Sequence, residues 1–151
     1  MTRIAIRPAR RADGPALLGL IEALADYEKL KPPTRAAQAR LLRDAFGRRP
    51  RFEAWLAWDG PQPVGYAIVF ETYSTFLAKP TLYLEDLFVL PSHRGRKIGL
   101  QLVRRCRAEA RRRGCGRMEW MVLDWNQLAR DFYHRQGARH MREWLLYRFE
   151  L

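Results

Sequence analysis

The apolar positions of this 151-residue chain follow two spacings, one typical of helices and one typical of strands. Four segments combine helical spacing with a capping or stop residue, and they are Asp13–Glu28, Thr34–Phe46, Ile98–Arg113 and Gln127–Arg135. Six shorter segments are apolar runs bounded by turns, and they are Ile4–Pro8, Phe52–Trp58, Val64–Phe70, Leu82–Leu90, Met118–Leu123 and Trp144–Phe149. The order predicts a mixed α/β sheet, with antiparallel strands first and a strand–helix–strand crossover later.

Length and composition favour one folded domain that covers residues 1–151. Apolar residues make up 48% of the chain and aromatic residues 12%, which is enough for a buried core and excludes an intrinsically disordered chain. No apolar run approaches the roughly 20 residues that a membrane span needs. The N-terminus lacks the pattern of a signal peptide, so we expect a cytoplasmic protein without membrane contact.

Cysteine and histidine are too few and too scattered for a metal site or a disulfide framework. Cys106 and Cys115 cannot supply four zinc ligands, and His93, His134 and His140 have no metal-ligand spacing. Cys106 lies on the apolar stripe of the third helix, so both cysteines are expected to be free thiols.

The net charge of +12 raises the possibility of nucleic-acid binding. Most basic residues are arginines scattered along the chain, and the densest cluster, residues 104–113, lies on one helical segment. Such a run is more often a solvated helix face than a binding site. A nucleic-acid-binding module is therefore the weaker alternative, and a phosphate-bearing small ligand could use the same arginines locally.

The turn between the fourth strand and the third helix is the most informative segment. The first N–H groups of that helix have no partners within the helix, and with the helix dipole they form an anion site. Gly95 and Gly99 let a ligand approach the backbone. Three side chains add positive charge, and they are Arg94, Arg96 and Lys97. The pattern fits a pyrophosphate site or an ordinary basic turn, while the motifs of triphosphate and dinucleotide loops are absent.

A second informative segment follows the fifth strand. Asn126 is expected to cap a short helix, and Phe132 and Tyr133 fall near the end of that helix. Phe132 is interpreted as a core aromatic. Tyr133 is either a core aromatic or a general acid, because a phenol can protonate a leaving group of similar basicity, such as a thiolate.

Together these two segments resemble the GNAT superfamily of acetyl-CoA-dependent N-acetyltransferases. Residues 94–99 match its signature [RQ]-x-x-G-x-[GA], with Lys97 at the first glycine position, and residues 126–137 match N-x-x-A-x-x-F-Y-x-x-x-G. The resemblance implies a mixed, mostly antiparallel sheet of about seven strands with about four helices. It also implies acetyl-CoA as the cofactor and a homodimer, with Trp144–Tyr147 either in the dimer contact or in the core.

The resemblance is closest to the branch of spermidine/spermine and thialysine acetyltransferases. The segments that carry it are residues 6–9, 27–28, 73–76, 83–86 and 122–127. Ser74 stands where the polyamine enzymes have an acidic residue, which favours smaller amines than a tetracation. The expected reaction is acetyl transfer to a primary amine of a thialysine- or lysine-like compound, a diamine or a polyamine. The alternative acceptor is a protein lysine or N-terminus.

The resemblance also implies residue roles. Glu85 would bind the ammonium and accept its proton, unless it is a surface carboxylate, and Tyr133 would protonate the thiolate. Asp86 is expected on the opposite strand face as a structural hydrogen-bond acceptor. The implied cofactor-binding residues are Leu87, Phe88, Val89, Arg94, Gly95, Arg96, Lys97, Ile98, Gly99, Leu100, Asn126, Ala129 and Arg130. The implied amine-binding residues are Tyr27, Glu28, Glu85, Glu119, Trp120 and Met121.

Overall fold

The computed structural model describes residues 3–151 and contains one five-stranded sheet. The strands are β1 Ile4–Pro8, β2 Glu53–Asp59, β3 Gln62–Ser74, β4 Lys79–Val89 and β5 Arg117–Glu119. The helices are α1 Gly14–Glu28, α2 Arg35–Phe46, α3 Ile98–Arg112 and α4 Gln127–Arg135. The chain divides into two compact units, of which the first ends at Trp120 and contains all five strands, and the second is Met121–Leu151.

The sheet follows chain order from β1 to β5. The pairs from β1 to β4 are antiparallel; short turns join β2 to β3 and β3 to β4, whereas α1 and α2 lie between β1 and β2. The last pair, β4 with β5, is parallel because α3 carries the chain back across the sheet. This pair joins only Thr81–Tyr83 to Arg117–Glu119, so β4 continues to Val89 beyond the end of its pairing with β5.

All four predicted helices are confirmed, because their signals are local. Thr34 Oγ1 accepts a hydrogen bond from the Ala37 N–H over 3.2 Å at the start of α2, and Gly47 follows its end. Asn126 Oδ1 accepts from the Ala129 N–H over 3.2 Å and caps α4 as predicted. None of the helices within residues 3–151 has both the length and the apolar character needed to cross a bilayer.

Two hydrophobic cores form on the two faces of the sheet. The core that includes α3, termed the α3 core, consists of Ala57, Val64, Ala67, Val69, Leu82, Leu84, Ile98, Leu102, Cys106 and Ala110. The core that includes α1, termed the α1 core, consists of Leu17, Leu20, Ile21, Ala54, Leu56, Tyr66, Ile68 and Phe88. Cys106 is a buried free thiol, and burial raises its pKa to about 12, so it is an unreactive core residue.

The class of the fold is confirmed, but the expected number of about seven strands is wrong for the described residues. The strand predicted at Met118–Leu123 is only Arg117–Glu119, and no strand forms at Trp144–Phe149. Trp144 and Phe149 are 73% and 94% exposed. An apolar pattern shows that a segment suits a strand, but a strand also needs a partner for its backbone N–H and C=O groups. In this structure the C-terminal segment has no such pairing.

Candidate active site

A β-bulge in β4 interrupts the strand at the predicted amine-binding residue. Ile68 of β3 pairs with Asp86 and Val69 pairs with Leu84, so Glu85 is the extra residue between them. Leu82 and Leu84 belong to the α3 core before the bulge, whereas Phe88 belongs to the α1 core after it. The bulge therefore breaks the simple alternation from which we expected Glu85 and Asp86 on opposite faces.

Asp86 meets a buried tyrosine on the α1 side of the sheet. The Tyr66 hydroxyl donates a hydrogen bond to Asp86 Oδ2 over 2.9 Å, and Tyr66 has no exposed surface. Burial, together with the charge of Asp86, raises the pKa of the Tyr66 hydroxyl. The hydroxyl thus remains a protonated donor at neutral pH. Asp86 is a hydrogen-bond acceptor, as expected, and Tyr66 is its donor.

Three carboxylates influence one another around this pair, and they are Glu28, Glu85 and Asp86. Burial raises the pKa of Asp86 to about 6; the Tyr66 hydrogen bond opposes this effect, and the charges of Glu85 and Glu28 add to it. Burial also raises the pKa of Glu28, at the end of α1. Glu85 is exposed. A cluster of this kind attracts a cation, because a nearby positive charge relieves both the repulsion and the desolvation.

Arg94 joins the end of β4 to α1. Its Nε donates to the Val89 carbonyl over 3.1 Å. Its guanidinium carbon lies 4.6 Å from the centroid of the Tyr27 ring and 5.6 Å from that of Phe88. Stacking of a guanidinium on aromatic rings is favourable and holds the side chain in place. Arg94 was expected at the cofactor, and in this structure its side chain contacts these rings.

Ion pairs of Asp59 link the turn before α3 to the end of β2. The Asp59 carboxylate oxygen Oδ2 lies 2.8 Å from Arg96 Nη1 and 3.3 Å from His93 Nε2. The side chains of Asp59 and His93 are each only 13% exposed. Arg96, a second residue expected at the cofactor, therefore has its charge balanced by Asp59. This ion pair fixes the turn on the sheet.

Lys97 has a backbone conformation that favours glycine, the residue that the GNAT signature has at this position. Its φ is 60° and its ψ is 19°, in the left-handed region that glycine enters without a steric cost. Gly95 also has a positive φ, of 80°, and a Cβ added there would meet nothing within 4 Å. The turn thus leaves open space beside Gly95 and exposes the Lys97 side chain.

The start of α3 fits a diphosphate group. No side chain caps this 15-residue helix, and its first hydrogen bond runs from the Gln101 N–H to the Lys97 carbonyl over 3.1 Å. The preceding N–H groups, those of residues 98–100, are the donors that helix geometry leaves for a ligand. Arg96 is paired with Asp59, whereas the exposed Lys97 side chain and these N–H groups are available to an anion.

The remaining amine-binding candidates of the first unit, Glu119 and Trp120, lie at the end of β5 and directly after it. Glu119 Oε1 is 2.8 Å from Arg117 Nε at the end of β5. Trp120 packs against the α3 core, whereas Tyr27 packs against the α1 core. Tyr27 and Glu28 lie on the α1 side. Glu119 pairs in register with Tyr83, and burial together with the charges of Glu85 and Glu119 raises the pKa of that tyrosine. Trp120 packs with the other core.

The second unit, Met121–Leu151, contains the other candidates. Tyr133 lies near the end of α4, half-buried, with its ring 5.6 Å from that of Phe132. Arg130 Nη1 donates to the Asp124 carbonyl over 2.9 Å, and Asn126 caps the helix. Met121 is 57% exposed. Four of these candidates belong to α4 or to its N-cap, and they are Asn126, Ala129, Arg130 and Tyr133.

Sequence reasoning missed Tyr66 and Asp59. A tyrosine within an apolar strand is itself a signal, because a buried hydroxyl needs a hydrogen-bond partner. The identity of that partner depends on strand register and on the bulge, which the local pattern does not encode. Asp59 ends β2, and its pairing with Arg96 spans 37 residues of sequence, so no local pattern indicates it.

Comparison with known proteins agrees with this geometry. The model of the Acetyltransferase (GNAT) family matches residues 18–138, which is most of the chain. The chain belongs to this family. It is therefore a GNAT-type N-acetyltransferase, and the enzymes of this family use acetyl-CoA as a general rule.

Its relatives include acetyltransferases of small amines. The thialysine N-epsilon-acetyltransferase of Bos taurus is 35% identical over 161 residues, which cover 99% of this chain and 94% of that protein. The spermidine/spermine N(1)-acetyltransferase-like protein 1 of Homo sapiens is 34% identical, and the match covers 95% of this chain and 22% of that protein. The solved structure of an integron cassette protein from the mobile metagenome of V. cholerae has a TM-score of 0.84 at 28% identity, covering 99% of this chain and 93% of its own.

Proposed function

We propose that this chain transfers the acetyl group of acetyl-CoA to a primary amine of a small cationic molecule. The acceptor class is thialysine- or lysine-like amines, diamines or polyamines. The observation that carries the proposal is the carboxylate cluster of Glu28, Glu85 and Asp86 beside the end of β4. Residues 90–97 connect this end to the start of α3, where no side chain caps the helix. One end of β4 thereby combines attraction for a cation with attraction for a diphosphate.

The cluster selects and prepares the amine. Exposed Glu85 can receive the ammonium group, and Glu28 and Asp86 add negative potential around it. A free alkylamine has a pKa of about 10, so it must lose a proton before it can act as a nucleophile. We assign that proton to Glu85, directly or through a water molecule.

Acetyl-CoA would supply a thioester that the amine can attack. The N–C bond forms as the C–S bond breaks, and the sulfur leaves as a thiolate. Tyr133 is assigned as the acid that protonates this thiolate, and the second amine proton then restores the phenol. Backbone groups of Leu87, Phe88 and Val89, on the edge of β4 beyond its pairing with β5, are assigned to the pantetheine arm, and one N–H among them to the carbonyl oxygen. Such a donor contributes about 3–4 kcal/mol in other acyl transfers.

The cofactor's diphosphate is assigned to residues 95–100. The N–H groups at the start of α3 would donate to its oxygens, with Lys97 as the added charge. Arg94 and Arg96 would act indirectly, through their contacts with Tyr27 and Asp59, by holding the turn in shape. Asn126, Ala129 and Arg130 are assigned to another side of the cofactor. We also propose that residues 1–151 act as a single acetyltransferase domain.

The first experiment measures thiol release from acetyl-CoA with thialysine, lysine, small diamines, spermidine, spermine and a lysine peptide. Turnover of a free amine is the expected result. Turnover of the peptide alone would instead indicate a protein acceptor. If no acceptor reacts and acetyl-CoA does not raise the melting temperature, the proposed function is wrong. Salt-dependent binding of duplex DNA would then favour the nucleic-acid alternative.

Two variants test the assigned residues with the best acceptor. Tyr133→Phe should lower kcat by about 100-fold or more with little change in acetyl-CoA affinity, because a general acid contributes roughly 10²–10⁴-fold. Glu85→Gln should slow the reaction most at neutral pH. The matched controls are Tyr73→Phe and Glu143→Gln, both at exposed positions. Wild-type turnover in both Tyr133→Phe and Glu85→Gln would refute the assignment.

We further propose that the chain forms a homodimer. Support comes from the exposed apolar side chains near the C-terminus, which are Trp144, Leu145, Leu146, Tyr147 and Phe149. Exposed apolar patches of this kind mark association surfaces. Light scattering of the wild type should give twice the chain mass of 17.8 kDa, and Trp144→Glu should shift the protein toward the monomer. A monomeric wild type would refute the proposal.

A further inference from the structure

Tyr66 is a buried polar group that the proposed reaction has not used. Its ring lies in the α1 core with no exposed surface, and its hydroxyl donates to Asp86 Oδ2 over 2.9 Å. Phenylalanine would fill the same volume without requiring a partner for a buried hydroxyl. The hydroxyl therefore does something that packing alone does not require.

The position of Asp86 indicates the role of the Tyr66 hydroxyl. The bulge at Glu85 makes Asp86 the β4 partner of Ile68, an α1-core residue next but one to Tyr66 in β3. Asp86 is therefore one residue from Glu85, the assigned amine-binding carboxylate, and its charge interacts with that of Glu28. A carboxylate has about four acceptor sites, so one hydrogen bond from Tyr66 leaves it able to accept others.

We propose that Tyr66 is a positioning residue of the amine site, which orients the Asp86 carboxylate and keeps it ionised as a second anionic contact beside Glu85. This inference rests on the proposed function, since it assigns a role within the same site. A hydrogen bond from a neutral phenol favours the ionised carboxylate over the neutral acid. The pair thus opposes the effect of burial and of two neighbouring carboxylates.

The groups around Asp86 come from three elements. Tyr66 belongs to β3, Glu85 to β4 and Glu28 to α1. The positive charge of Arg94 lies at the same end of β4, stacked on Tyr27 and Phe88. Among these groups, only the Tyr66 hydrogen bond lowers the pKa of Asp86, whereas Glu85 and Glu28 raise it. Removing the hydroxyl should therefore leave a carboxylate that protonates at higher pH.

The test compares kcat/KM for the best amine in Tyr66→Phe and wild type across pH. Taking the ratio of the two enzymes cancels the titration of the substrate amine. We expect the ratio to be about 0.1 near pH 6 and to approach 1 near pH 9, since a hydrogen bond to a charged group is worth about tenfold or more. The KM for acetyl-CoA should not change. Tyr73→Phe, at an exposed tyrosine, should give a ratio near 1 throughout.

Asp86→Asn provides the second variant, because asparagine still offers an oxygen to the Tyr66 hydroxyl. It should raise the amine KM above about pH 6, where Asp86 is ionised in the wild type, and adding Tyr66→Phe to it should cause little further loss of kcat/KM. A ratio near 1 at every pH for Tyr66→Phe, or additive losses in the double variant, would overturn the positioning role and leave the proposed function intact. Absence of amine turnover in the wild type would overturn both.

Discussion

The two cores on either side of the sheet differ in chemistry. The α3 core is built from aliphatic residues and the buried thiol of Cys106, whereas the α1 core contains Tyr66, whose hydroxyl is bonded to Asp86. Close packing of apolar side chains stabilises the fold and requires no hydrogen-bond partner. A buried polar pair gains little stability and needs its geometry maintained. We expect the α3 core to contribute mainly to stability, and we expect Tyr66 and Asp86 on the α1 side to lower stability in favour of the proposed amine site.

The largest expected effect is on stability, from Leu102→Ala in the α3 core. Leu102 has no exposed surface and belongs to the core between α3 and the sheet. Removing its side chain loses burial and leaves a cavity, so the free energy of unfolding should fall by about 2–5 kcal/mol. Denaturant unfolding measures the change. The amine KM of the folded fraction should stay near the wild-type value.

Leu128→Ala is the matched control, because Leu128 is 57% exposed. Its free energy of unfolding should differ from wild type by no more than about 0.5 kcal/mol. A comparable loss of stability in both variants, or an altered amine KM in Leu102→Ala, would contradict the division of roles between the cores.

The second-largest expected effect is an increase in the free energy of unfolding, and it comes from replacing Asp86 on the α1 side of the sheet. The pKa of Asp86 is raised to about 6, so the folded protein holds this proton more tightly than the unfolded chain does. Asp86 therefore costs stability as the pH rises from about 4 through about 6, where the folded form ionises. Asp86→Asn should raise the free energy of unfolding at neutral pH by about 1–3 kcal/mol, with little difference near pH 4.

Urea unfolding of Asp86→Asn at several pH values checks this prediction. A gain in stability together with a weaker amine site would show that Asp86 is retained for function. A variant that is less stable than wild type at neutral pH would mean that the Tyr66–Asp86 bond contributes net stability, and the contrast between the two cores would then be wrong.

The same contrast explains what could be predicted from the sequence. Leu102 and Cys106 follow one another at the helical spacing of α3, so this face of the helix was predictable from local periodicity. The Tyr66–Asp86 contact depends on the register of β3 and β4 and on the bulge at Glu85, which are long-range properties. The strand predicted at Trp144–Phe149 failed for a related reason, since a strand requires a partner that its own pattern does not supply. Glu85 and Tyr133 were singled out by motif resemblance, and their roles remain predictions.

The smallest expected effect concerns the turn that leads into the α3 side, where Lys97 has a φ of 60°. Lys97→Gly should stabilise the protein by about 1 kcal/mol or less, because glycine relieves the left-handed backbone but adds freedom to the unfolded chain. Lys97→Ala is the matched control, since it removes the same charge and keeps the strained conformation.

The same two variants test how the diphosphate is bound. If backbone N–H groups carry most of this binding, both variants should lose the same small amount of acetyl-CoA affinity. Calorimetric titration should show a severalfold loss at most, or about 1 kcal/mol. A large loss in both would make the Lys97 ammonium a principal contact, and a loss in Lys97→Gly alone would show that the restriction of the backbone by a Cβ holds the turn in its binding shape.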